Sequence, residues 1–199
     1  MNKIGKHFLI AITAGLLCIA VSASAQGRFS GAVESNAKVY VGGKTGGAFG
    51  LDALAGYLNE NKTFVGIGIG YDRGFLQNEQ YSPVELDPNL SRSFWDFSKP
   101  KVLKYGEVPL FLNLKRYFSS DLSGWNLDLR AGISYVFSPE GLGGTFWSSG
   151  VGYRFNLYGD TGIVARAFYE MKNSFHADDM YKSTLGRYHA LGLRVSYEF

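Results

Sequence analysis

The clearest chemical grouping in the sequence is a histidine with two nearby carboxylates. His176 is followed by Asp178 and Asp179 in the stretch FHADDM, and Ser174 lies two residues before the histidine. A histidine beside carboxylates can orient a water molecule or hold a metal ion. Ser174 and His176 also share a strand face, so a serine–histidine pair is a second interpretation. The grouping is local and no second carboxylate-rich loop matches it, which favours a solvated polar loop.

Two other chemical signals are weak. The glycines of GIGIGYDRG, residues 66–74, superficially resemble a phosphate-binding motif. They alternate with apolar residues as in a strand and open no helix, so the structural context of that motif is missing. The only cysteine is Cys18, in the N-terminal apolar segment. We therefore expect no cofactor, no metal and no enzymatic activity.

The N-terminal segment has the pattern of a secretory signal peptide. Lys3 and Lys6 precede an apolar stretch, and Ala23-Ser24-Ala25 supplies the small residues that a signal peptidase recognises. Cleavage before Gln26 is expected, which divides the chain into a signal peptide, 1–25, and one domain, 26–199. The mature chain then has no cysteine, and its formal charge is close to +1 because two of the lysines are removed from a chain of +3. The charge gives no argument for binding nucleic acid.

Apolar and polar residues alternate with a period of two through most of the remaining chain. This period predicts strands with one apolar and one polar face. A weaker strand is expected somewhere in 28–42, where Phe29 to Val41 alternate poorly. No stretch after residue 25 has the 18 or so uninterrupted apolar residues of a membrane helix. The seven clear segments are 49–57, 65–72, 107–115, 125–137, 147–157, 163–172 and 187–199.

The connections between these segments alternate in length. Short turns are expected at 59–62, 119–124 and 159–161, and longer loops at about 76–101, 138–145 and 175–185. This asymmetry and the length of the strands are typical of bacterial transmembrane barrels. The sequence predicts an all-β, antiparallel, up-and-down transmembrane barrel of about eight strands, with the apolar face outward. Pro109 lacks an N–H group and predicts a bulge or a broken ladder bond in its strand.

Aromatic residues are expected to form two girdles at the ends of the barrel. The girdle near the short turns contains Tyr57, Phe118, Trp125, Tyr158, Tyr197 and Phe199, and the other contains Tyr71, Tyr105, Phe137, Trp147 and Phe175.

The polar face of the strands carries charges of both signs, which we expect to fill the lumen. Isolated charges in a narrow lumen would be costly, so pairing into a closed network is favoured over an open channel. The acidic members are Asp52, Asp72, Glu107, Asp128, Glu170 and Glu198, and the basic members are Lys115, Arg130, Arg154, Arg166, Lys172 and Arg194.

The long loop after the third strand contains clustered aromatic residues. Phe94, Trp95 and Phe97 lie among polar residues in the segment 76–101. Exposed aromatics can anchor a partner, a glycan or a lipopolysaccharide surface, or they can fold back onto the barrel rim.

The signal peptide, the alternating strands and the terminal pattern together resemble the OmpA/OmpX-like family of small outer-membrane barrels of Gram-negative bacteria. Val195, Tyr197 and Phe199 lie at every second position up to the terminal phenylalanine and resemble the family's assembly signal. The stretch YGEVPLFLNLKRYF is similar to a middle strand of the same family. The resemblance implies an outer-membrane location, with outer-membrane lipid, the barrel-assembly machinery and periplasmic chaperones as partners.

These observations favour a monomeric, non-enzymatic barrel with a structural, surface-contact or adhesion role through its loops. A host surface or another extracellular ligand is a further expected partner. A narrow, porin-like channel for ions or small solutes is the alternative. An outer-membrane lipid hydrolase is the third, because lipid-modifying barrels of this size use a histidine–serine pair.

Overall fold

The structure, a computed structural model, describes residues 27–42, 45–77, 102–138, 142–175 and 187–199. These residues form one closed barrel in which each strand pairs antiparallel with the next and the last pairs with the first. The predicted all-β, eight-stranded barrel is thereby confirmed. The strands are β1 Gly27–Val41, β2 Thr45–Asn59, β3 Thr63–Gln77, β4 Val102–Tyr117, β5 Gly124–Ser138, β6 Leu142–Asn156, β7 Gly162–Phe175 and β8 Arg187–Glu198.

The two ends of the barrel differ. The end that carries connections 60–62, 118–123 and 157–161 is called the turn end, and the opposite end, where β1 runs into β2, is called the loop end. None of the described residues forms a helix long and apolar enough to cross a membrane.

The register of the strands sets the width of the barrel. Paired residues followed once around the barrel from Gly31 lead to Val41, ten positions further along β1. Eight strands with this stagger enclose an interior just wide enough for side chains to fill. The intermediate residues on this path are Ala55, Ile67, Leu112, Ala131, Trp147, Met171 and His189.

The barrel closes at the turn end through the last residue. The Gly31 amide donates to the Phe199 carbonyl at 2.8 Å, and the Phe199 amide donates back to the Gly31 carbonyl at 2.9 Å. The Phe199 ring lies over Gly31, where a Cβ would be 2.8 Å from a ring carbon. The alternation of β8 therefore continues to Phe199, because there the strand still forms backbone hydrogen bonds with β1 and its aromatic side chain still packs against that strand.

A short polar turn joins β4 and β5. Leu122 has a φ of 65° and turns its side chain into the turn end of the lumen, where it is buried. Asp121 accepts hydrogen bonds from the Ser119 and Ser123 hydroxyls and from the Ser123 amide. These donors lower the pKa of Asp121 to about 2, so the turn keeps its negative charge through the physiological range.

The weak strand expected within 28–42 is present as β1, but its expected poor alternation and the expected limits of one loop were wrong. β1 alternates regularly from Ala32 to Tyr40, because small residues such as Ser35 and Ala37 belong to its outer face and weaken the apolar pattern. The expected loop at 138–145 is shorter, since β6 begins at Leu142 and its glycines at 143 and 144 pair with β7. Gly143 and Gly144 suggest a turn by composition, but they lie inside a strand.

The irregularity expected at Pro109 is confirmed. The pairing of β3 with β4 runs from Ile69–Leu110 to Asp72–Glu107 and omits the two pairs between them. On its other side, the pairing of β4 with β5 shifts between Gly106 and Glu107. The interruption on the β3 side includes Pro109, which has no N–H group to donate, whereas on the other side Pro109 still pairs with Ser134 and the shift lies two to three residues earlier in β4.

The glycines of β3 make room for large side chains from neighbouring strands. A Cβ at Gly68 would overlap the ring of Phe111, and a Cβ at Gly74 would overlap the ring of Tyr105. The glycines of the repeat GIGIG therefore form a thin inner wall that leaves space for aromatic rings of β4. The isoleucines of the repeat form an apolar outer face.

This arrangement predicts that Gly68→Ala destabilises the barrel by about 1–3 kcal/mol through overpacking. The Phe111 ring cannot retreat freely, because Phe146 lies 6.1 Å away between ring centroids and the Arg130 guanidinium lies 4.9 Å from its centre. Urea unfolding of the refolded protein in vesicles would measure the loss. Ala55→Val, on the exposed face of β2, is the control and should change stability by less than about 0.5 kcal/mol. Equal effects of the two substitutions would contradict this account of the thin wall.

Candidate functional site

The structure places every predicted lumen charge inside the barrel. All twelve side chains are buried, and β1 adds two more, Glu34 and Lys38. Among the described residues the buried charges thus number seven acidic and seven basic. They form two groups along the barrel axis. The turn-side cluster contains Glu34, Asp52, Lys115, Asp128, Arg130, Arg154, Arg166, Arg194 and Glu198, and the loop-side cluster contains Lys38, Asp72, Glu107, Glu170 and Lys172.

Glu34 is the centre of the turn-side cluster. Its Oε1 lies 3.0 Å from the Lys115 ammonium and accepts a 2.9 Å hydrogen bond from the Ser196 hydroxyl. Its Oε2 pairs with the Arg130 guanidinium. Two more cations lie close, Arg166 at 3.5 Å and Arg194 at 3.8 Å. One fully buried carboxylate thus neutralises part of the charge of four cations from four different strands.

Asp128 completes the middle of the same cluster. Its carboxylate lies 3.0 Å from Arg130 Nε, 3.4 Å from Arg194 Nη1 and 3.7 Å from Arg166 Nη1. It also accepts a 2.9 Å hydrogen bond from the Asn113 amide. Arg130 therefore contacts three carboxylates, those of Glu34, Asp52 and Asp128, and joins β5 to β1 and β2.

Glu198 ties the end of β8 into the cluster. Its carboxylate lies 3.0 Å from Lys115 Nζ and 3.1 Å from Arg154 Nε, and it accepts a 2.8 Å hydrogen bond from the Tyr117 hydroxyl. Glu198 precedes Phe199, so the inner face of the last strand is fixed by charge while its outer aromatic residues stay exposed.

Lys38 is the centre of the loop-side cluster. Its ammonium lies 2.8 Å from Asp72, 2.7 Å from Glu170 and 3.8 Å from Glu107. Lys172 pairs with Glu107. Three carboxylates against two lysines give this cluster a formal charge of −1, and four against five give the turn-side cluster +1.

Asn36 connects the two clusters. Its Nδ2 lies 3.2 Å from Asp72 Oδ1 and 3.4 Å from Asp52 Oδ2. Beside it, the rings of Phe111 and Phe146 cross the lumen. A cavity of about 20 Å³ remains at this level, room for about one water molecule.

Apolar side chains cluster beyond the charges at both ends. At the loop end, the Tyr40 ring packs edge-on against Tyr188, with centroids 5.0 Å apart, and lies 6.5 Å from the Tyr105 ring. At the turn end, buried apolar side chains from β2, β3, β4 and the following turn pack together. These are Leu58, Phe64, Tyr117 and Leu122.

The outer face carries an apolar band with aromatic residues toward its ends. Near the turn end Phe29, Tyr57 and Trp125 are exposed or half-exposed, with Tyr197 and Phe199. The expectation that Tyr105 belongs to the outer girdle was wrong, because its side chain is buried beneath the loop end. The interrupted ladder at Pro109 lies on the same strand as Tyr105. Even so, Tyr105 is two residues before Glu107, which faces inward, so strand alternation already indicated an inward side chain.

The charges of β1 could have been found in the sequence. Glu34, Asn36 and Lys38 occupy alternate positions, which is the signal of a polar strand face. The weak apolar pattern of the outer face obscured it.

Several predicted residues lie outside the part of the chain that the structure describes. These are the signal peptide, 1–25, the aromatic residues Phe94, Trp95 and Phe97, and His176 with Asp178 and Asp179. Ser174 lies within β7. Within the described ranges no three His, Cys, Asp or Glu side chains are grouped as a metal site. His189 lies on β8 beside Tyr169, and the Tyr169 hydroxyl is hydrogen-bonded to His189 Nδ1.

Comparison with solved structures identifies the class of barrel. The fold is similar to the N-terminal β-barrel domain of OprF from Pseudomonas aeruginosa, with a TM-score of 0.50 and 16% identity over 87% of this chain and 100% of that one. The chain therefore has the fold of the small eight-stranded outer-membrane barrels.

Two other solved barrels are also similar in structure. Neisserial surface protein A gives a TM-score of 0.43 and 12% identity over 85% of this chain and 95% of that one. OprG from Pseudomonas aeruginosa gives 0.38 and 7% over 88% and 98%. No protein-family model and no curated protein matches the sequence.

Proposed function

We propose that the protein is an outer-membrane barrel whose lumen is closed to solutes and whose role is to hold its loops at the cell surface. The observation that carries the proposal is the filled interior, in which fourteen buried charges of balanced sign lie between two apolar layers. A lumen filled in this way supports a closed interior, and a cavity of about 20 Å³ among the described residues has room for about one water.

The outer surface supports the membrane location. Large apolar side chains stand exposed around the whole barrel, including Leu51, Ile69, Leu110, Leu129 and Leu193. A continuous apolar surface of this kind is costly in water and stable in lipid, and the closed sheet leaves no backbone edge unpaired. Outer-membrane lipid and the barrel-assembly machinery are the partners that this location requires.

The proposed role is surface contact or adhesion by a monomer, and it is not enzymatic. The two longest stretches of chain between strands, 78–101 and 176–186, both connect strands at the loop end. Fatty acid released from phospholipid vesicles by the refolded protein, and lost in His176→Ala, would contradict a non-enzymatic role and favour the hydrolase alternative.

Surface labelling of intact cells tests the location and orientation. The chain after residue 25 has no cysteine, so single-cysteine variants give a clean signal. Arg187→Cys, exposed at the loop end, should react with a membrane-impermeant maleimide, whereas Asn61→Cys, exposed in a short turn, should not. Both should react in permeabilised cells, and the unsubstituted protein in neither. Labelling at Asn61→Cys alone in intact cells would reverse the proposed orientation.

A further inference from the structure

Charges on the outer surface of the described residues are distributed unevenly between the two ends. The turn end carries three bases and three acids, and the loop end carries three bases and no acid. The turn-end residues are Arg28, Glu60, Lys62, Arg116, Asp121 and Asp160, and the loop-end residues are Arg73, Lys104 and Arg187.

Arg73 and Lys104 lie side by side on the outer face of β3 and β4. Arg73 pairs with Gly106, and Lys104 pairs with Phe75, so the two cations are diagonal neighbours across the ladder. Diagonal neighbours of this length reach each other on a sheet face. Gly106 has no side chain, and the Tyr71 hydroxyl lies above it, 3.0 Å from where a Cβ would be. Tyr71, Arg73 and Lys104 thus lie together on the outer face around Gly106, and this group is called the rim site.

The polar groups of the rim site have no partner among the described residues. The other described arginines outside the two lumen clusters are held by protein groups: Arg28 by Asp160, Arg116 by Thr63 at 2.7 Å, and Arg187 by Asn173 at 3.1 Å. Arg73 and Lys104 lack such groups within the described ranges. Two adjacent like charges without a carboxylate repel each other, so an external anion would stabilise the pair.

Aromatic side chains surround the rim site on the outer surface. Phe75, Tyr135 and Phe137 are each about half exposed, at 51%, 54% and 51%, and the rings of Tyr135 and Phe137 lie 5.0 Å apart. Aromatic and basic side chains together are typical of the level where the apolar core of a membrane meets its headgroups. The site therefore combines an anion position with an apolar surface next to it.

We infer that the rim site binds the phosphate headgroup of an anionic lipid in the leaflet at the loop end. The inference rests on the proposed membrane location. Arg73 presents paired N–H donors that match phosphate oxygens, and Lys104 adds a point charge. The Tyr71 hydroxyl can donate to a third oxygen. The acyl chains then lie against the apolar outer face below, which distinguishes a lipid from a free phosphate ion.

Native mass spectrometry of the refolded protein, 26–199, in a sugar-headgroup detergent tests the site. Phosphatidic acid and phosphatidylcholine with the same acyl chains are titrated separately. The unsubstituted barrel should bind phosphatidic acid at one site at least tenfold more tightly than phosphatidylcholine. Arg73→Gln/Lys104→Gln should weaken phosphatidic acid binding about tenfold, because two charge-assisted contacts are removed. Arg116→Gln, on the outer face of β4 at the turn end, is the matched control and should bind as the unsubstituted protein does.

Three results would overturn the inference. Equal phosphatidic acid binding by the double variant would show that the cations do not form the site. An equal loss in Arg116→Gln would show a general effect of charge. Displacement by inorganic phosphate at the same concentration as the lipid would show an ion site without lipid specificity. Gel migration before and after boiling is recorded for every sample: a protein that never folds argues against the proposed function, whereas a folded barrel without lipid preference argues only against the rim site.

Discussion

Glu34→Gln is expected to lower the free energy of unfolding of the barrel by about 3–5 kcal/mol, the cost of leaving buried charges without their partner. Glu34 is fully buried and faces Lys115, Arg130, Arg166 and Arg194. Glutamine keeps the shape but removes the charge, so the turn-side cluster changes from four acids and five bases to three and five.

Urea unfolding in vesicles, followed by tryptophan fluorescence and by gel migration, would measure the loss. Glu60→Gln, the same substitution in an exposed turn, should change stability by less than about 0.5 kcal/mol. The double variant Glu34→Gln/Arg130→Gln should lose less than the sum of the two single losses, because removing both partners relieves the unpaired charge. Additive losses, or a stable Glu34→Gln barrel, would contradict the role given to Glu34.

Lys38→Met is expected to have a comparable effect, about 3–5 kcal/mol, at the other cluster. Lys38 contacts three carboxylates, and without it Asp72, Glu107 and Glu170 share only Lys172. Methionine has a similar length, so the loss reports charge more than packing.

A second substitution distinguishes charge from packing at this position. Lys38→Met/Glu170→Gln removes one carboxylate with the lysine and should regain part of the lost stability. Lys62→Met, in the turn between β2 and β3, is the control and should be close to neutral. If the double variant is less stable than Lys38→Met alone, the loop-side cluster is not held together by charge balance.

Much of the barrel was predictable because the period of two predicts both the strands and the residues that face the lumen. The same period of two that placed Leu127 and Leu129 outward placed Asp128 and Arg130 inward, so predicting the strand also predicted the lumen charges. One failure occurred where the apolar face was weak. Ser35 and Ala37 on the outer face blurred the alternation of β1, so the strand was expected within 28–42 but its inward residues Glu34 and Lys38, the centres of the two charge clusters, were missed.

The partners of each charge could not be predicted from sequence. Glu34 meets Arg166 across 132 positions of the chain and Lys115 across 81, and these contacts depend on the stagger of the strands. A sequence shows which residues face inward but not which levels of the lumen they share. The position of the Phe111 ring over Gly68 could not be predicted for the same reason, because Phe111 belongs to a different strand, β4.

Single-channel recording of the refolded protein in a planar bilayer tests the closed lumen most directly. A barrel whose charges are paired as described predicts no discrete conductance steps from protein that migrates as a folded barrel on gels. Reproducible steps whose size changes in Arg130→Gln or Arg154→Gln would contradict the closed lumen and establish the narrow channel instead.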